Sequence, residues 1–439
     1  MPAPLLTIES TPDLPASADA VVIGGGIIGC STAWFLARAG LRVALLEKGR
    51  VGAEQSSRNW GWCRQMNRDA RELPLATRSL ELWEAMQAEL GSSLGFSRCG
   101  LLYLSDDDAE IDRWARWCAF AAGEGVRTEV LGPSAAAERG RATAKPWRGG
   151  VVSPTDGIAD PARAVPVIAR GLTTLGATVH QFCAARGIER SGGRISAVMT
   201  EAGRIATTRV VMAGGAWASS FCRQLGVSFP QASVRSTVLS VQPGADGLPD
   251  ALHTAGVSVT RRGDGGYTLA ISGLARVDPT LQHLRYARHF LPMLLDRHGL
   301  VRPGGLHGLR AGHESWRRWR LDAPTPMERT RVLDPIPDRA TVDLTLDRAR
   351  RLLPALGTVP VQAAWAGYID STPDGVPVID EVLPGLVLAA GFSGHGFGIG
   401  PGAGQLIAQM VLGATPDLPF AQYALSRFRG LRRADVSGF

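Results

Sequence analysis

The chain has 439 residues, 45% of them apolar and 20% charged, which excludes wholesale disorder and suggests two or three domains. The net charge is +7, yet the arginines are scattered singly and in pairs, often beside acids, which argues against a nucleic-acid-binding stripe. No run of eighteen apolar residues occurs, which excludes a membrane-spanning helix. The N-terminal stretch lacks the basic-then-apolar order of a secretory signal. The six cysteines, Cys30, Cys63, Cys99, Cys118, Cys183 and Cys222, form no C-x-x-C pair. Such spacing suits a reducing, cytoplasmic compartment better than a zinc site or a disulfide framework.

In chain order, residues 1–17 are rich in Pro, Ser and Ala and read as a loose leader. Ala20–Ile23 is a short buried strand, Ile27–Ala39 an amphipathic helix stopped by Gly40, and Leu41–Leu46 a second strand. The three make a βαβ unit of about 30 residues. Residues 71–90 carry Leu75, Leu82, Met86 and Leu90 at helical spacing. Gly100–Leu104 reads as a strand, Asp106–Ala122 as a helix, and 161–175 as a helix with Pro161 in its first turn. Short strands follow near 177–183, 194–199 and 204–213, then 234–241 and 267–272 as parts of a second sheet. The stretch 300–340 is irregular, and Leu386–Ala390 is a last strand before a glycine-rich loop and a helix at 402–412.

Three glycine signals stand at strand ends. Gly24-Gly25-Gly26-Ile27-Ile28-Gly29 is a G-x-G-x-x-G between strand and helix, and Glu47 closes the next strand. Glycines there allow a tight turn and close approach of a pyrophosphate to a helix N-terminus, and the acid can accept from ribose hydroxyls. Val210–Met212 leads into Gly214, Gly215 and Trp217, a second strand end with paired glycines. Ser393-Gly394-His395-Gly396-Phe397-Gly398-Ile399 leads from a strand into a helix, whose first N–H groups could stabilise a reduced flavin anion. The simplest account is one nucleotide domain built from three separated segments.

Together with Tyr368-Ile369-Asp370-Ser371-Thr372-Pro373-Asp374-Gly375, these motifs resemble the FAD-dependent D-amino acid oxidase superfamily, on its glycine oxidase, sarcosine oxidase and D-amino acid dehydrogenase side. The resemblance covers nearly the whole chain. It implies an α/β fold, a doubly wound FAD domain (18–65, 145–230 and 365–439) interleaved with an antiparallel-sheet substrate domain (66–144 and 231–364). It implies FAD as cofactor and hydride transfer from a C–N bond of an amino acid or amine. It also implies a cofactor set: Gly24, Gly26, Ile27, Ile28, Gly29, Glu47, Lys48, Ser56, Ser57, Arg58, Ala185, Gly214, Gly215, Trp217, and Gly394 through Ile399 with His395, Gly396, Phe397 and Gly398. Ser56, Ser57 and Arg58 belong to a segment that relatives lay along the flavin, with Trp60 and Trp62 as packing, as substrate wall, or both.

Departures from the family carry expectations of their own. Covalently flavinylated relatives have a cysteine where this chain has Gly367, so FAD is expected to be non-covalent. Oxidases of the group place a lysine near flavin N5, and this chain has no lysine after Lys145, which points to slow reaction with oxygen. Gly398 replaces a lysine that binds the substrate carboxylate in relatives. Arg64 is the expected anchor in its place, or else an ion-pair partner of a nearby acid; Gln65, Trp62, Arg310 and Arg317 are further substrate candidates. His395 either handles protons and hydrogen bonds at the ring or only shapes the loop. The basic, aromatic stretch 306–320 is either a solvated face or subunit contact or a peripheral membrane contact. Its His307, His313 and Glu314 compel no metal site.

Three rival functions remain open. One is a dehydrogenase of this fold passing electrons to a quinone or carrier protein instead of oxygen. Another is a non-catalytic FAD-containing subunit, and the third is an NAD enzyme, disfavoured by the C-terminal flavin-like loop.

Overall fold

A computed structural model describes residues 3–91, 94–244, 247–297, 301–306, 308–309, 313–314, 316 and 318–430. The first βαβ unit forms as its pattern predicts. Strand Ala20–Ile23 is buried along its whole length, helix Ile27–Arg38 follows, and Val43–Leu46 pairs parallel to the first strand. The sheet grows to six strands in the order 378–383, 386–390, 210–212, 20–23, 43–46, 178–180, all parallel except the first. Register aligns Ile23 with both Leu46 and Met212. The three glycine signals therefore converge at one carboxyl edge, where open α/β sheets bind ligands.

Alternating strand residues feed two cores. Ala20, Val22, Val43, Leu45 and Val211 pack against helices 27–38, 164–174 and 396–412. Val21, Ile23, Ala44, Leu46 and Met212 pack against helix 218–224 and a three-stranded antiparallel sheet of 185–191, 194–200 and 204–206. Both faces are thus covered, as buried parallel strands require. The stretch expected as one strand at 204–213 is two: Arg204–Ala206 joins the small sheet and Val210–Met212 the parallel one. Thr207 makes the corner, its hydroxyl donating to Arg209 O at 3.2 Å.

A larger sheet of ten strands forms the second body. Its spine is Ala232–Val241, paired over nearly its full length with Val361–Ser371. It is antiparallel apart from two parallel pairings, 251–253 with 101–105 and 275–277 with 301–303. Gly149–Ser153 pairs with Leu101–Ser105 in this sheet, and Val361–Ser371 belongs to it from its first residue. The boundary expected at 145 therefore leaves strand 149–153 of the large sheet in the cofactor domain, and the one expected at 365 cuts strand 361–371, because backbone pairing, not composition, assigns a strand.

Several elements differ from expectation. The leader is not loose over its described residues: Leu6 N donates to Ala162 O, Thr11 N to Val179 O, and Ser17 bridges Ala206. Backbone pairing with a finished sheet holds a segment that composition alone leaves unstructured. The last helix begins at Gly396, not 402, and includes Pro401. A Cβ at Gly404 would meet the Ser31 Cβ at 2.5 Å, so the glycines that lower helix propensity let it lie close against helix 27–38. Packing overrides propensity. Helices Leu281–Arg297 and Arg339–Leu352 and strand Val361–Ser371 had no clear sequence signal.

Candidate functional site

A cleft with about 1220 Å³ of empty space opens at the carboxyl edge of the parallel sheet. Its floor is the first turn. Gly24 has φ +113°, and a Cβ there would collide with Ala213 O, so only glycine serves. Gly26, Ile27 and Ile28 line the cleft at the start of helix 27–38, and Ser56 Oγ accepts from Ile27 N at 2.9 Å. Gly29 does not face the cleft; a Cβ there would overlap Gly24 O, so it permits the close turn.

Glu47 stands at one end of this cleft. Its carboxylate accepts from Gly25 N at 2.8 Å and Gly49 N at 2.7 Å. Burial pushes its carboxyl above the usual value, against the pull of Lys48, so further donors such as ribose hydroxyls would favour its charged form. Lys48 also lines the cleft, tied to Glu54 at 2.5 Å and lying 4.8 Å from the Trp217 ring centroid. Ala185, Gly214, Gly215 and Trp217 face the cleft from the second core. Gly394, Gly396 and Phe397 close it from the C-terminal segment.

Two observations test this cleft for FAD. A helix N-terminus and the Gly24 turn stand where a pyrophosphate needs them. Trp217 Nε1 and Gln55 Oε1, both on cleft-lining residues, are buried without a hydrogen-bond partner, as a missing polar ligand would leave them. The residues fit. Bound FAD would be held by the 24–29 turn, Glu47, Ser56, the 214–217 turn and the 394–397 segment. Gly367 carries no thiol to link a flavin, and a Cβ there would meet the end of the Gln55 side chain.

Other expected cofactor residues are placed differently. Arg58 does not line the cleft. Its buried guanidinium donates to Ala53 O at 3.1 Å, Ala366 O at 2.6 Å and Asp334 Oδ1 at 2.8 Å. It ties three segments together because its chain position is deep under them. Ser57 is likewise buried off the cleft and donates to Glu54 O. Gly398 and Ile399 turn inward: a Cβ at Gly398 would meet Trp62 O at 2.8 Å, and Ile399 is in the core. The position of the relatives' carboxylate lysine is therefore closed to any side chain. His395 faces away from the cleft, with Nδ1 3.1 Å from Glu72 Oε2. Burial and the Arg68 cation hold its imidazole below the usual value, outweighing Glu72.

Arg64 emerges beside a different set of residues. Its guanidinium donates to Met66 O and lies in the field of Tyr103, Arg68 and Asp156. Trp62 packs 6.4 Å from Tyr103 and 6.1 Å from His253 between ring centroids, and Trp114 closes the group. Burial, then Arg64, holds His253 down to about 3, so it is neutral. Arg68 is buried and held down to about 10, by burial and by Arg64. Its Nη1 and the Trp62 Nε1 have no acceptor. Gln65 is spent on Thr77, 2.7 Å away, and Thr155. Its place in the wall is structural. Arg310 and Arg317 lie outside the described residues, as does His307. His313 and Glu314 are buried, and no metal-binding cluster occurs among the described residues. In the 306–320 stretch Trp319 Nε1 donates to Arg186 O at 2.7 Å, while Leu309 and Trp316 are exposed. No described helix is long and apolar enough to cross a membrane.

Sequence reasoning missed the cleft wall formed by Asn59, Tyr368 and Asp370. Asp370 Oδ2 accepts from Gly391 N at 2.8 Å, and burial pushes its carboxyl up to about 6. Tyr368 donates to Asp278 Oδ2 at 3.1 Å, and Asp278 is paired with buried Arg235 at 2.7 Å. The Y-I-D motif is a signal for Tyr368 and Asp370. Nothing in the sequence links Asp278 to them, since the contact spans 90 residues.

Known proteins agree with this architecture. The chain is 26% identical over 430 residues to "Sarcosine oxidase subunit beta" of Rhizobium meliloti (strain 1021), covering 95% of this chain and 90% of that one. It is 25% identical to "Glycine oxidase" of Geobacillus kaustophilus (strain HTA426), covering 94% and 97%. Among solved structures, the L-amino acid deaminase of Proteus myxofaciens in complex with anthranilate superposes with a TM-score of 0.93 at 28% identity, covering 98% of both chains. Residues 19–410 match the family DAO, FAD dependent oxidoreductase. A dinucleotide cleft at the carboxyl edge, the three glycine segments that build it and this match over most of the chain agree: the protein is an FAD-dependent oxidoreductase of the DAO family.

Proposed function

We propose that this enzyme holds FAD non-covalently and oxidises the C–N bond of an amino acid, or of an amine bearing a carboxylate, with that carboxylate seated against Arg64 and Arg68. The observation that carries the reading is a buried donor without an acceptor, Arg68 Nη1, in the field of the Arg64 cation, together with a second one, Trp62 Nε1, two residues from Arg64 along the chain. Buried donors left unpaired cost roughly 1–3 kcal/mol each, and a carboxylate is the ligand that would pair them. Arginine suits the task because its planar fork can hold both oxygens. The surrounding Trp62, Tyr103, Trp114 and His253 exclude water, which strengthens a charge contact. Neutral His253 competes for no anion.

FAD supplies the acceptor for the hydride and electron pair released as the amine becomes an imine. The chain's own share is orientation. His395, braced by Glu72, fixes the first turn of helix 396–412, whose Gly396 and Phe397 line the cleft. That helix end favours negative charge beside it. The six cysteines are unpaired, which fits a cytoplasmic enzyme.

An anaerobic panel of amino acids and N-alkyl amino acids tests the reading through bleaching of the flavin absorbance. Bleaching by carboxylate-bearing amines, weakened in Arg64→Lys with flavin content unchanged, is expected. Equal bleaching by carboxylate-free amines would remove the anchor, and none by any amine would make the chain a silent subunit.

The electron acceptor is a second question. Lys48, which follows Glu47 on the cleft wall, is tied to Glu54, and Lys145 pairs with Asp106 at 2.6 Å. That supports a dehydrogenase handing electrons to another acceptor.

A further inference from the structure

A strap of chain runs along the wall of the dinucleotide cleft. Residues 325–334 lie between strand 301–303 and helix 339–352 and contribute Met327 to that wall. The strap rests on the turn that follows Glu47. A Cβ at Gly49 would collide with Arg331 O, and Gly49 N is one of the two donors to the Glu47 carboxylate. Both ends are fixed. Thr325 and Glu328 form a capping box on a short helix, and Glu328 pairs with Arg186 at 2.9 Å. Beyond the other end, Asp338 N donates to Thr237 Oγ1 at 3.0 Å on the spine of the large sheet, and the Asp338 carboxylate caps helix 339–352.

Between these ends the fastening is by side chains. Among the described residues, no backbone-to-backbone hydrogen bond ties 331–334 to the rest of the chain. Lys48 Nζ donates to Thr330 O at 3.1 Å and to Arg331 O at 2.8 Å while it holds Glu54. Glu54 Oε1 also accepts from Leu333 N at 3.0 Å. Arg331 donates back to Lys48 O at 3.0 Å and forks onto both oxygens of Glu201, at 2.6 Å to Oε2. Arg58 reaches Asp334 at 2.8 Å. Met327 and Leu333 are the apolar anchors. Bonds of this kind, between partly exposed charged groups, are weakened by salt and can open without breaking a sheet.

We propose that this strap is the gate for the cofactor: the Lys48–Glu54–Arg331–Glu201 clasp closes it over the Glu47 end of the cleft, and FAD enters and leaves when the clasp opens. The proposal rests on the reading above that FAD is held non-covalently in this cleft. Every bond of the clasp joins two protein groups, so closure does not wait for the cofactor. Lys48 and Glu54 line the cleft themselves, whereas Arg331 and Glu201 stand off it. Opening the clasp at Arg331 therefore reaches the cofactor only through the strap. A lost contact to bound FAD speeds release alone. A gate that is closed before and after binding slows uptake and release together, and opening it speeds both.

Release is followed from the diluted holoenzyme by the fluorescence of free flavin. Uptake is followed by tryptophan quenching when FAD is mixed with flavin-free protein. Arg331→Met is expected to speed both rates at least fivefold, while Kd stays within about threefold of wild type. Potassium chloride at about 0.5 M should speed release from wild type and have little effect on the variant, whose ionic clasp is already open. A change in one rate alone, or in neither, would overturn the gate. Equal salt dependence in variant and wild type would overturn the clasp as its fastening. Glu201→Gln removes the charge opposite Arg331 and keeps an acceptor for Ala184 N; it is held to the same criteria and replaces Arg331→Met should that variant fail to fold. Flavin that acid precipitation does not release would reject non-covalent binding alone, and the uptake rate would then decide the gate.

Discussion

The dinucleotide cleft and the Arg64 chamber proposed for the substrate carboxylate are built by opposite means. The cleft is made largely of backbone: turns at Gly24 and Gly214, the starts of helices 27–38 and 396–412, and one braced carboxylate, Glu47. The chamber is made of side chains brought from four places, Trp62 and Arg64, Tyr103, Trp114, and His253. Backbone sites tolerate no Cβ where glycine stands but accept varied neighbours. Side-chain sites depend on each residue's chemistry. In the reading proposed above, the first kind holds the cofactor and the second selects what it reacts with.

Breaking the cleft should have the largest effect. Gly24→Ala combines φ +113° with overlap onto Ala213 O, a strained and clashing site expected to cost several kcal/mol. Purified protein should contain almost no flavin and melt well below wild type; near-normal flavin content would show that the turn can relax. The chamber's counterpart is Arg64→Lys. With the fork lost, kcat/KM should fall about 10–100-fold while flavin content stays normal. A fall in flavin content instead would merge the two sites into one.

Glu47→Gln should loosen the cleft without emptying it. Loss of a charged acceptor, at about 1.5–3 kcal/mol, corresponds to roughly 10–100-fold weaker FAD binding, readable by titrating FAD into the flavin-free protein. An unchanged Kd would reject Glu47 as the ribose acceptor.

A smaller effect concerns pH. The folded carboxyl of Asp370 is raised to about 6 from its ordinary 3.8, so folding favours its protonated form. Its contribution is fully present below about pH 3.8 and fades as pH rises through 6. Asp370→Asn should flatten that part of the stability profile, by a margin of order 1–3 kcal/mol, in urea melts at pH 4.5 and 7. An identical slope in the variant would assign the dependence elsewhere. The mildest test is acid precipitation, which should release all yellow colour because glycine, not cysteine, stands at position 367. Colour kept in the pellet would contradict non-covalent binding.

Much of the cleft was legible in the chain because its signals are local. A strand, a G-x-G-x-x-G, a helix and an acid at the next strand end lie within residues 20–47 and report one geometry. Glycine at a required positive φ or a forced close approach leaves a mark that one dimension can carry. Arg58 and His395 show the limit. Both sit in the right motifs, yet Arg58 clamps Ala53, Asp334 and Ala366, and His395 turns to Glu72. A side chain's direction is chosen by partners hundreds of residues away, and motif position does not encode it.

The sequence by itself determined the parallel sheet, the converging glycine turns, the acid closing the second strand and the glycine at position 367, since each follows from local sterics or residue type. Tertiary structure alone decided the rest. It joined Tyr368 to Asp278 across 90 residues and extended helix 396–412 through glycines by packing it on helix 27–38. It gathered the aromatic residues around Arg64. Those outcomes depend on long-range burial and hydrogen bonding, whose energies exist only once distant segments meet.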